Sequence, residues 1–126
     1  MSPAPRDIVA RFWEVMATND FVAASRLLSP DYRCIWPQSS EVIEGPDAFA
    51  AVNAAYPASG PWRFEVKRLV ADGSKVVTDV DITDGDIQAT AVTFHTVRGA
   101  LISKQVEYWP DAYDPPAWRA AYVTRL

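Results

Sequence analysis

One cysteine and one histidine are all that the 126 residues contain, and that scarcity removes several kinds of chemistry. Cys34 has no second thiol to bridge, so no intramolecular disulfide is expected and the residue should sit reduced in the core. A zinc site resting on His95 and Cys34 would need several converging carboxylates, and no ligand spacing supplies them. No metal and no cofactor is expected. The five glycines form neither a phosphate-cradling loop nor a Gly-x-Ser-x-Gly elbow, which sets aside nucleotide binding and serine hydrolysis. Positive charge is also short: 12 basic residues stand against 16 acidic ones, net −4, and Lys and Arg gather nowhere. Nucleic acid is not an expected partner. Long apolar runs are missing too. Ala48 to Val52 falls far short of the roughly 20 residues that span a bilayer. Met1 to Trp13 shows no apolar stretch behind a basic leader. The expectation is a cytoplasmic protein with no membrane partner.

What is present is apolar substance, 49% of the chain, enough for the core of one domain over residues 1–126. From Pro5 to Thr18 the residues Ile8, Val9, Phe12, Trp13 and Met16 recur at helical spacing, with Pro5 and Asp7 suited to a first turn. Asn19 and Asp20 interrupt this helix. Asp20 suits the cap of a second, short helix burying Phe21, Ala24, Leu27 and Leu28, which Ser29-Pro30 ends. Tyr32 to Trp36 suits a strand, with Pro37 confining it to an edge or an end, and Glu41 to Ile43 pairs back on it. Gly45-Pro46-Asp47 opens a third helix, Ala48 to Tyr56, closed by Pro57.

The period then changes from helical to alternating. Trp62–Ala71, Lys75–Thr83, Asp86–Arg98 and Leu101–Trp109 are separated by Asp72-Gly73, Asp84-Gly85 and Arg98-Gly99, which predicts a four-stranded antiparallel meander. Beyond Pro110 a short helix is expected from Ala117, with Trp118 and Tyr122 on one face.

Three helices, a short strand pair between the second and third, and a closing meander resemble the nuclear transport factor 2 superfamily over nearly the whole chain. The residues that carry the resemblance are Ala10 to Met16 leading into Asn19-Asp20, Leu28 to Tyr32 running into Trp36-Pro37, Gly45 before helix three, and Glu107-Tyr108-Trp109 ending the last strand. The SnoaL-like branch, related to polyketide cyclases and ketosteroid isomerase, is the most similar. The resemblance implies an α+β fold: a cone-shaped, curved antiparallel sheet wrapped around three N-terminal helices, with a pocket between the helices and the concave face. Ketosteroid isomerases place a tyrosine, an aspartate base and an aspartic acid where this sequence has Phe12, Trp36 and Thr93. Phe12 has no hydroxyl, Trp36 no titratable proton, and Thr93 only a neutral donor, so the isomerase mechanism does not carry over.

Alternation puts Ser103, Gln105, Glu107 and Trp109 on one face of the last strand, and Ala91, Thr93, His95 and Val97 on one face of the strand before it. Facing the pocket, Glu107 and His95 would form an acid/base couple, the carboxyl losing hydration among aromatic rings and the imidazole drawn toward its charged form. The resemblance to polyketide cyclases points to a late acidic residue, either Glu107 or Asp111. The plainer alternative is that His95 is a satisfied core residue and Glu107 pairs with Lys104, Arg63 or Arg68. Phe12, Trp13, Met16, Cys34, Trp36, Thr93, Gln105 and Trp109 are the expected ligand-binding residues, while Trp62 and Trp118 are assigned to structure or an interface. Asp79 and Asp81 share a strand face and are read as solvated.

Two functions fit. One is a SnoaL-like protein binding a small hydrophobic molecule, with Glu107 performing isomerase, cyclase or dehydratase proton transfer. The other is a noncatalytic binding or interaction module. The sheet's outer face, bearing Val92, Phe94, Val106 and Tyr108, is apolar enough to predict a homodimer.

Overall fold

The structure, a computed structural model, describes residues 3–126. Helix α1 (Pro5–Met16) begins with proline in its first turn and buries Ile8, Val9, Phe12, Trp13 and Met16, the face set by its spacing. Asp20 caps α2 (Phe21–Ser25) by accepting from the Ala23 N–H at 2.9 Å. Helix α2 is shorter than its apolar pattern predicts, because Leu28 already belongs to β1 (Leu28–Trp36). The strand tolerates Pro30 because its pairing with the neighbouring strand is irregular between Leu28 and Arg33, where no ladder N–H is required.

Strand β2 (Glu41–Glu44) pairs back on β1, and Gly45 turns the chain into α3 (Pro46–Ala55). Its φ of +88° suits glycine, and its N–H reaches the Tyr32 carbonyl at 2.8 Å, fixing α3 over β1. The meander follows as β3 (Arg63–Asp72), β4 (Lys75–Thr83), β5 (Gln88–Arg98) and β6 (Leu101–Tyr108). The six strands form one curved, unclosed sheet in the order β2-β1-β6-β5-β4-β3. Every pair is antiparallel except β1 with β6, which is parallel. Helix α1 packs on β3 to β6 and α3 on β1 and β2.

Register separates the two faces of the sheet. Val76, His95, Gln105, Cys34 and Ile43 follow one another across β4, β5, β6, β1 and β2, and all are buried under the helices. One residue along, Val70, Val77, Phe94, Val106, Ile35 and Val42 run across all six strands on the outer face. Asp79 and Asp81 also point outward, Asp79 bonded to Arg68 at 2.7 Å and Asp81 lying 3.8 Å from Lys67.

After β6 the chain is exposed apart from Trp109, Pro115 and Arg119. The expected C-terminal helix is only a turn of 3₁₀ helix, Ala117–Arg119, and Trp118 and Tyr122 are both exposed. Among the described residues no helix is long and apolar enough to cross a membrane.

Candidate functional site

A cavity of about 100 Å³ opens between α1, α3 and the concave face of the sheet. Helix α1 contributes Phe12, Trp13 and Met16, β1 contributes Cys34 and Trp36, and β6 with the residue that follows it contributes Gln105, Glu107 and Trp109. These are residues whose periodicity pointed inward. Sequence reasoning missed the opposite wall: Phe49, Val52 and Tyr56 from α3 and its C-cap, and Ile87 from the β4–β5 turn. Trp62, assigned to structure or an interface, also lines the cavity. It is held there by Asn19, whose side chain accepts from the Trp62 N–H and donates to the Trp62 carbonyl, both at 2.8 Å. The only signal for this was Asn19 itself, a residue type that tolerates the positive φ found there, +61°.

Glu107 stands in the wall with its carboxylate held by two neutral donors. Trp36 Nε1 donates to Oε1 at 3.0 Å and the Thr93 hydroxyl to Oε2 at 2.6 Å. Trp36 and Thr93, two of the three residues that the resemblance sets against isomerase catalytic groups, are therefore the ones that orient this carboxyl. The residue is buried, and among the described residues no cation pairs with it. Burial pushes its pKa up, opposed by the hydrogen bonds from Thr93 and Trp36. Lys104, Arg63 and Arg68 do not reach it. Asp111, the other candidate acid, lies past β6 and is exposed.

The couple expected between Glu107 and His95 is not made. Register pairs Glu107 with Thr93 and His95 with Gln105, so the imidazole sits one step deeper. Its Nε2 lies 2.8 Å from the Thr78 hydroxyl and its Nδ1 lies 3.0 Å from the Gln105 amide nitrogen. Trp13 Nε1 donates to Thr78 at 3.2 Å and the Tyr32 hydroxyl donates to the Gln105 carbonyl oxygen. With the amide nitrogen facing Nδ1, His95 holds its proton on Nε2 and donates to Thr78. Burial lowers its pKa to about 3, so it stays neutral, contrary to the expectation of a charged form. Neither His95 nor Thr93 lines the cavity; Thr93 stands behind Glu107 and His95 behind Gln105.

The remaining chemistry is limited. Burial raises the Cys34 thiol and the Tyr32 phenol above their ordinary values, with the Glu107 charge adding to both, so neither is an available nucleophile near neutrality. Among the described residues no three His, Cys, Asp or Glu side chains converge as metal ligands do. The cavity thus presents a largely apolar, aromatic lining with one buried carboxyl in its wall.

The family model described as SnoaL-like domain matches residues 9–105. Among solved structures, the chain is similar to a candidate ketosteroid isomerase from Kribbella flavida, with 33% identity, 97% of this chain and 89% of that one covered, and a TM-score of 0.87. It is also similar to an NTF2-like protein of unknown function from Burkholderia xenovorans, at 27% identity, 97% and 94% coverage and a TM-score of 0.78. A candidate SnoaL-like polyketide cyclase from Jannaschia sp. shares the fold at 18% identity, 83% and 84% coverage and a TM-score of 0.72. A search of curated proteins gives no match. With the helices, the curved sheet and the cavity placed as described, the chain belongs to the SnoaL-like domain family, on the NTF2-like fold.

Proposed function

We propose that the cavity binds a small, mostly apolar molecule and that Glu107 moves a proton to or from it, in cofactor-independent chemistry of the isomerase, cyclase or dehydratase type. The observation that carries this is a carboxyl buried in an aromatic wall, held by neutral donors and without a cation partner. A salt-bridged carboxylate would be locked in its charged form, whereas burial without a cation partner raises the pKa of this one and favours its taking up a proton. In the ionised state Glu107 takes a proton from an acidified C–H, and Trp36 and Thr93 stabilise the carboxylate. As the acid it returns that proton to another atom of the same molecule, which completes a shift with no net proton gained.

Deuterium exchange tests this. The protein is incubated in D₂O with small cyclic ketones and enones, and label at the carbon next to the carbonyl is followed by mass spectrometry. The expected result is accelerated exchange that Glu107→Gln slows by about 10²-fold or more. Equal rates for the two proteins, or no acceleration on any probe, would remove the catalytic role.

The second reading, a noncatalytic binding module, is favoured by one observation: His95 is saturated in a neutral network and no second carboxyl and no imidazole lines the cavity beside Glu107. It predicts ligand-induced stabilisation with no exchange. We also propose that a second copy of the chain covers the outer face of the sheet.

A further inference from the structure

The cavity wall is electrically one-sided. Glu107 is its only acidic side chain, and no Lys, Arg or His lies among the lining residues. Some of its polar donors are already in use. Asn53 gives one N–H to the Phe49 carbonyl at 2.9 Å, which leaves its carbonyl oxygen and a second N–H, and Trp13 and Trp36 spend their indole N–H groups on Thr78 and Glu107.

The aromatic lining is arranged in corners. Trp36 and Trp109 meet at 86° with centroids 6.5 Å apart, and Tyr56 and Trp62 meet at 77° and 5.8 Å. Both pairs are edge-to-face contacts, and aromatic surface beside a carboxyl is a setting that attracts an organic cation once it is desolvated. The carboxyl of Glu107 is hydrogen-bonded to a ring of the first corner. The volume, about 100 Å³, suits a head group; pockets that hold larger ligands run from about 300 Å³ upward.

The geometry points to a small alkylammonium group as a ligand of this cavity, with the Glu107 carboxylate as its counterion and the Trp36–Trp109 corner as its wall. It rests on the cavity being a ligand site, as proposed above, and adds the charge of the ligand. Binding a cation to the protonated acid releases that proton to solvent, so affinity must rise with pH until Glu107 is fully ionised. The other titratable groups near Glu107 are Tyr32 and Cys34 from β1 and His95 from β5, with Tyr56, the C-cap of α3, also lining the cavity. The first two are raised and His95 is lowered to about 3, so none of these three gains or loses charge between about pH 5 and 8.

Calorimetric titration with choline and with 3,3-dimethylbutan-1-ol, its neutral carbon counterpart, separates the claims. Choline is expected to bind the full chain about tenfold or more tightly than the alcohol at about pH 8. Its affinity should fall about tenfold per pH unit below the Glu107 pKa, while the alcohol's stays flat. Glu107→Gln should erase the choline preference and keep the alcohol. If the alcohol binds and choline binds no better, the cation assignment fails and the cavity survives. If neither binds, both fail. The pH series on the unaltered chain decides the matter even where Glu107→Gln does not fold.

Discussion

Glu107 and His95 are both buried, and burial moves them in opposite directions, so their effects on stability have opposite signs. The imidazole falls from 6.5 to about 3. The unfolded chain therefore takes up its proton first. The stability His95 contributes is complete above about pH 6.5 and drains away as the pH falls toward 3, by up to about 1.4 kcal/mol per pH unit. Glu107 is raised from 4.5, so its contribution is complete below that value and is lost as the pH climbs through the raised one. Asp31 and Asp84 are held below 3.8 and act only at lower pH. Between about pH 4.5 and 6.5, urea midpoints should show a shallower acid limb for His95→Gln and a smaller loss toward neutrality for Glu107→Gln. An unchanged slope for His95→Gln would mean that the imidazole is not neutral in the fold. Alternation alone placed both residues on the inner face, but it could not show that a step of two along β5 separates a residue beside the cavity wall from one sealed beneath it. That depends on which strand residue stands opposite, a non-local fact.

At the scale of elements, the pieces legible in the sequence are those fixed by neighbours in the chain. Helix α1 follows from its apolar spacing, α2 from the Asp20 cap, α3 from Gly45-Pro46, and the meander from its Gly turns. The start of β1 was hidden because Ser29-Pro30 reads as a stop. The strand runs through it only because β6, more than seventy residues later by register with Leu28 and Ile102, leaves that stretch irregularly paired. The wall built by Trp62 was hidden for a similar reason, since it depends on the turn between α1 and α2 reaching across to β3. Asn19 makes that link while holding a left-handed backbone. Asn19→Ala removes both side-chain bonds and puts a methyl group on a strained φ, and should cost about 2 kcal/mol in denaturant unfolding. Asn19→Gly relieves the backbone and should cost less while still freeing Trp62. Equal, negligible losses in both variants would show that the Asn19 bridge does not hold the cavity wall.

For the whole molecule, the question is what covers the outer face. Six apolar side chains from Val70 to Val42 form a band across every strand, roughly 24 Å long at the spacing of paired strands. Phe94, in the band, meets Tyr108 beside it edge to face at 6.2 Å, the two being 47% and 39% exposed. Beside the band Arg68 is paired with Asp79 and Lys67 with Asp81, so what this part of the face offers a partner is its apolar side chains. A second copy supplies the same band, and two such sheets can pack face to face across a two-fold axis. Each chain carries a net charge of −4, so electrostatics opposes this association while apolar burial drives it. Added salt should therefore tighten the dimer, the reverse of a charge-steered complex. Sedimentation equilibrium at micromolar concentration is expected to give twice the mass of one chain. Phe94→Lys should give a monomer with an unchanged circular dichroism spectrum, since that side chain leaves the core untouched. A wild-type monomer at about 100 μM, near the millimolar end of weak association, would leave the band without the partner assigned to it.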